Sequence, residues 1–167
     1  MAKAEPLHLK NNVVKERFII LFKIAVAHSD LKSVKCFKDI SCDALLRKFV
    51  DFIRKGMGCN FLANKIVRWY IDNGGKYEKE FSFRFRGKES FLYMTYFPQL
   101  IQLLMSNISN DKIQKRLMEV HLQSISIRQL LSYVVRIKNF KPEDLVDMKN
   151  VAKRLFVMCS LFDYRIS

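Results

Sequence analysis

Glycine and proline are scarce in this chain, at 5 and 3 of 167 residues. An all-β sandwich draws on both for its many turns, so that class is disfavoured. Acidic residues are also few, 16 against 30 Lys plus Arg, which leaves a net charge of +14. No apolar run is long enough to cross a bilayer. Phe18 to Ala27 comes nearest, but it contains Lys23 and follows Lys15, Glu16 and Arg17. The segment Met1-Ala2-Lys3-Ala4-Glu5-Pro6 lacks the apolar stretch of a secretory signal. A nuclear or cytoplasmic location is expected, not secretion. None of the 4 cysteines forms a Cys-x-x-Cys pair, and His28, Cys36, Cys42 and Cys59 match no compact zinc spacing. Free thiols in a reducing compartment are the expectation. Also missing are a Gly-rich phosphate loop, a Gly-x-Ser-x-Gly elbow and a His-Glu-x-x-His pair. His8, His28 and His121 each stand alone. No complete catalytic constellation can be assembled, so neither a cofactor nor a small-molecule substrate is expected.

What is present points to a folded core. Half of the residues are apolar, and 14 of them are phenylalanine, whose rings must be buried or form a docking face. The length suits one domain. The positive charge runs along the whole chain and so decorates the folded surface. Such an excess favours a polyanionic partner, nucleic acid first, against the alternative of a merely solvated surface.

The patterning predicts an all-α bundle of about six or seven helices, divided as an N-terminal segment over 1–11 and a single helical domain over 12–167. A first helix is expected from about Asn12 to Ala27, then a polar connector over 29–40. Ser41 is a candidate N-cap for a helix bearing Leu45, Leu46, Phe49, Phe52 and Ile53, which Gly56 and Gly58 stop. Asn60 caps the next, with Leu62, Ile66, Trp69 and Tyr70 as its stripe. Phe81-Ser82-Phe83-Arg84-Phe85-Arg86 alternates with the period of a strand, so one short strand or hairpin near 78–86 is allowed for. A helix follows from Phe91 to Ile108, with Pro98 as a kink or boundary. Asn110 or Asp111 starts another through about Gln123, and Ser124 or Ser126 a further one. Pro142, Glu143 and Asp144 open the last helix. The core is expected to include Phe18, Phe22, Leu46, Phe49, Trp69, Leu131 and Leu155.

Candidate functional residues fall in three places. Glu5 offers a carboxylate of the kind that hard divalent cations take, but no acidic cluster of fitting spacing follows it, so no metal site is expected in this chain alone. Lys65 and Arg68 share a helix face at i, i+3 and can meet phosphates together, or form a solvated face. Arg84 and Arg86 fall on one side of the extended segment and Phe81, Phe83 and Phe85 on the other, with Lys88 following. That arrangement presents a cationic edge to a phosphate backbone; an ordinary half-buried strand explains it equally well.

Glu5-x-x-His8 followed by Lys10-Asn11-Asn12 resembles a motif of RNase H-fold, DDE-type cut-and-paste transposases and of proteins derived from them. In several such families a histidine follows shortly after the second catalytic acid, and a long, mostly helical insertion comes before the final glutamate. Leu62 to Tyr70, Phe81 to Ser90 and Pro142 to Phe156 are similar to segments of transposase-like proteins. The resemblance implies that Glu5 stands at a vestigial metal-ligand position, where the family usually has aspartate, and that His8 supports it. It places the first acid upstream of Met1 and the last beyond Ser167. One carboxylate cannot hold the two ions, Mg or Mn, that such a catalytic core uses.

Two functions are expected from different classes. The first is a transposase-derived helical insertion domain or fragment that binds DNA non-specifically and is not catalytic alone. The alternative is a basic all-helical protein–protein interaction module without a nucleic-acid role.

Overall fold

The computed structural model describes residues 6–31, 34–73, 81, 84–135 and 141–166, with side chains at all of these except 6–9, 134, 135, 159 and 161–166. Among the described residues six α-helices form a bundle: α1 (Pro6–Ala27), α2 (Leu45–Asp51), α3 (Asn60–Asp72), α4 (Gly87–Asn107), α5 (Asp111–Val135) and α6 (Pro142–Ile166). A 3-10 turn (Phe37–Asp39) precedes α2, and a π-helical turn (Phe52–Gly56) extends it. Among the described residues there is no β-strand. No helix there is long and apolar enough to cross a membrane.

Helix α1 buries the apolar stretch that begins at Phe18 and leaves Asn12, Glu16, Lys23 and Ala27 exposed along one line. It packs against α4, α2 and α5. Its Val14, Phe18, Leu21, Phe22 and Ala25 are fully buried. The phenylalanines explain themselves here. Phe18 meets Phe49, Phe85 and Tyr93 at centroid distances of 5.7, 5.4 and 6.4 Å. Phe22 meets Trp69 edge-on at 5.2 Å and Phe81 at 4.6 Å. Of the expected core, Phe18, Phe22, Leu46 and Phe49 are fully buried, while Trp69, Leu131 and Leu155 pack against it from partly buried positions.

Several boundaries differ from those predicted. Helix α1 is described from Pro6, six residues ahead of the expected Asn12. Asn11 is consequently buried inside the helix, where its Oδ1 accepts from Ser90 Oγ at 2.8 Å. Cys59, not Asn60, takes the N-cap of α3, and Ala44, not Ser41, that of α2. Pro98 lies inside α4, which continues through it. Ser124 and Ser126 do not start a helix. Ser124 is buried against Tyr93, 2.9 Å between the hydroxyls, and Ser126 donates back to the Leu122 carbonyl at 3.1 Å. Each hydroxyl is thus satisfied without breaking α5. Asn110 does cap α5, its Oδ1 accepting from the Lys112 and Ile113 amides at 3.0 and 3.2 Å.

Around 78–86 the expected strand is not seen at the described positions. Phe81 and Phe85 are buried while Arg84 and Arg86 are exposed, so the alternation of burial holds at the described positions. Helix side chains receive the rings instead, Phe18 for Phe85 and Phe22 and Trp69 for Phe81. Residues 78–80, Ser82 and Phe83 lie outside the described residues.

Glycine matters at the α2–α3 junction. Gly58 has φ of 66°, a left-handed conformation that side chains resist. At Gly56 a Cβ would fall 2.7 Å from the Phe52 ring. Gly58 thus sits in the short link between the π-helical turn and α3.

A polar seam joins α1, α4 and α5. Arg17 on α1 donates to the side-chain Oε1 of Gln123 on α5, and the Asn11–Ser90 and Tyr93–Ser124 pairs join the same helices. Burial drives the Tyr93 phenol far above its ordinary value, against the Ser124 hydrogen bond and the Arg17 charge, which pull it down. Above about pH 10 an unfolded chain releases this proton while the fold keeps it, so the unfolded state binds fewer protons and stability falls as pH rises. We expect this loss to begin near pH 10 and to be absent below it. Tyr93→Phe should flatten the alkaline decline by up to about 1.4 kcal/mol per pH unit. Urea midpoints at neutral and alkaline pH check this; equal pH slopes in both proteins would refute it.

Candidate nucleic-acid interface

Helix α3 is two-faced. Leu62, Ala63, Ile66 and Tyr70 are buried, and the Tyr70 hydroxyl donates to the Val34 carbonyl at 2.6 Å. The same spacing turns Phe61, Asn64, Lys65, Arg68 and Ile71 outward. They line an open groove of about 560 Å³. Phe61 is 46% exposed, an aromatic ring out of register with the buried stripe of its own helix.

Two cations converge on that ring. Lys65 Nζ lies 4.7 Å from the Phe61 centroid, one turn along α3. The Arg86 guanidinium carbon lies 5.5 Å from it, delivered by the N-cap of α4. Arg86 is placed by its backbone, because its amide donates to the buried Glu89 carboxylate at 2.9 Å. That bond closes the first turn of α4 and lets the guanidinium reach α3. Arg54 joins the same face by donating to Asn64 Oδ1 at 3.1 Å. Arg68 lies in the groove lining further along α3, and Asp72 brings a carboxylate to the lining.

Lys65 and Arg86, far apart in sequence, thus meet at Phe61, and Arg68 lines the groove with Lys65. Arg84 and Lys88 are exposed on either side of Arg86 in the chain. Glu5 lies outside the described residues; His8 lies in the first turn of α1, with its side chain outside them. The sequence reading missed Phe61 and Arg54. The signal that could have found Phe61 is its position four residues before Lys65 and off the apolar stripe.

Burial pushes the Cys59 thiol up, ahead of the opposing Leu62 amide hydrogen bond, so at neutral pH it is not a thiolate nucleophile. His121 is lowered by burial and by Arg128, and it packs edge-on against Phe97 at 5.5 Å. It is a neutral packing residue at pH 7. Among the described residues, no group of three His, Cys, Asp or Glu is placed to hold a metal ion.

A second groove, of about 540 Å³, lies between α5 and α6. Leu122, Ile125, Val157 and Met158 form its apolar wall, with Lys153 and Arg154 beside them. No protein-family model, curated protein or solved structure matches the chain.

Proposed function

We propose that this chain is a helical nucleic-acid-binding domain, derived from the insertion region of a DDE-type transposase, that contacts DNA phosphates without sequence preference and supplies no catalysis alone. The carrying observation is the convergence of Lys65 and Arg86 on an exposed ring, with Arg68 on the same groove. Arg84 and Lys88 extend the cationic surface along the chain. Cationic side chains position a backbone, and aromatic rings among them suit nucleic acid more than a generic anion. Under this reading Glu5 and His8 are vestiges of a catalytic core, Mg or Mn belongs only to a complete core, and the nucleus is the working compartment.

Titrating the protein against a short labelled duplex by fluorescence anisotropy tests the reading. The expected dissociation constant is roughly micromolar at low salt, with affinity falling steeply as salt rises. Absence of binding at low salt would refute it. A protein-interaction role would then take over, for which the α5–α6 groove is the observation. Its apolar wall beside Lys153 and Arg154 complements an acidic amphipathic helix.

A further inference from the structure

We propose that Phe61 is a stacking platform for an unpaired base, so that single-stranded or locally opened nucleic acid, not intact duplex, is the preferred ligand of this groove. This inference rests on the nucleic-acid reading and narrows its ligand. Phe61 is not a core residue, since Leu62, Ile66 and Tyr70 already fill the buried side of α3. Its environment also differs from that of other cation–ring pairs. Arg47 lies over Phe37 and Arg128 over Phe97, and both of those rings are buried. Phe61 instead holds Lys65 and Arg86 over a ring that solvent reaches.

A base stacked on an aromatic side chain outweighs a solvent-exposed cation on the same ring. An incoming base therefore displaces a cation, and long flexible side chains such as Lys65 and Arg86 can move without disturbing the backbone. The displaced cation then meets the phosphate flanking that base. Arg86 has a second option, closing its planar guanidinium over the outer face of the base. Val67 and Ile71 give the groove apolar lining. Asn64 keeps amide donors for a base edge while its Oδ1 accepts from Arg54. Asp72 disfavours phosphate where it lines the groove. A duplex keeps its bases inside the stack, so it engages the cations and leaves the ring idle.

The test compares a fluorescein-labelled thymidine oligomer with a duplex of equal length, using the wild type, Phe61→Ala, Phe61→Leu and Phe61→Trp. Phe61 is exposed, so the fold should survive each change, and thermal melting checks this. We expect Phe61→Ala and Phe61→Leu to weaken single-strand binding by about tenfold while duplex affinity stays within about twofold. Phe61→Trp should hold or tighten single-strand binding. Unchanged single-strand affinity in Phe61→Ala, or an equal loss on both ligands, overturns the stacking inference. If the wild type still binds duplex with a steep salt dependence, phosphate binding survives that failure. If the wild type binds neither ligand at low salt, both readings fail together.

Discussion

Phe18→Ala is expected to lower folding stability by about 3–5 kcal/mol. The residue is fully buried near the middle of α1. Its ring touches Phe49 on α2, Phe85 in the segment before α4 and Tyr93 on α4. Removing it opens a cavity bounded by three large rings. Those rings sit on separate elements whose positions are fixed by their own packing, so the cavity can close only partly. For a domain of this kind the loss is a large fraction of the total stability. Phe91→Ala is the matched control: Phe91 is 67% exposed, and its removal should change stability by no more than about 0.5 kcal/mol. Urea unfolding of both variants measures the contrast. A Phe18→Ala loss below about 1 kcal/mol would mean that the aromatic cluster collapses freely and is not the centre of the fold.

The second large effect concerns the cationic surface. Replacing Lys65, Arg68, Arg84, Arg86 and Lys88 with alanine is expected to reduce the slope of log affinity against log salt. The reduction should approach about 0.9 for each phosphate that is no longer neutralised. With all five engaged, duplex affinity at low salt should fall by about two orders of magnitude or more. The fold should tolerate the change. Arg86 bonds Glu89 through its backbone amide, which alanine keeps, and Arg84, Arg86 and Lys88 are exposed. Removing Lys65 and Arg86 from the face of Phe61 costs only about 0.5–1 kcal/mol each at so exposed a ring. The control removes as many charges elsewhere, at the exposed Lys38, Lys55, Lys112, Lys115 and Lys149. Equal losses in the two variants would show that net charge alone attracts DNA and that the α3–α4 surface has no special part.

Local patterns carried much of the architecture. Scarce glycine and proline, apolar residues at helical spacing and the Pro142-Glu143-Asp144 opening indicated an all-α chain, and α6 begins at Pro142 with the Lys141 amide donating to Asp144 at 3.0 Å. These features depend on interactions a few residues apart, and sequence spacing reports such interactions directly. Phe18, Phe22, Leu46 and Phe49 were legible as core for the same reason: each sits on an apolar stripe that only burial explains.

Where the pattern misled, distant partners are the reason. Ser124 has the chemistry of a helix start, yet Tyr93 supplies its partner across the α4–α5 interface, so α5 runs on. Asn11 falls in the 1–11 segment placed ahead of the first helix, yet Ser90 satisfies it inside α1. The Phe81–Arg86 alternation reads as a strand, because period-two burial looks the same whether a sheet or a set of helix rings receives the aromatics. The candidate site divides along the same line. Lys65 and Arg68 share a face by helical geometry alone, whereas Arg86 reaches Phe61 from the start of α4, where its amide is bonded to Glu89. Helical periodicity orients side chains within one element; which elements meet, and whose polar groups find partners, follows from how the core packs.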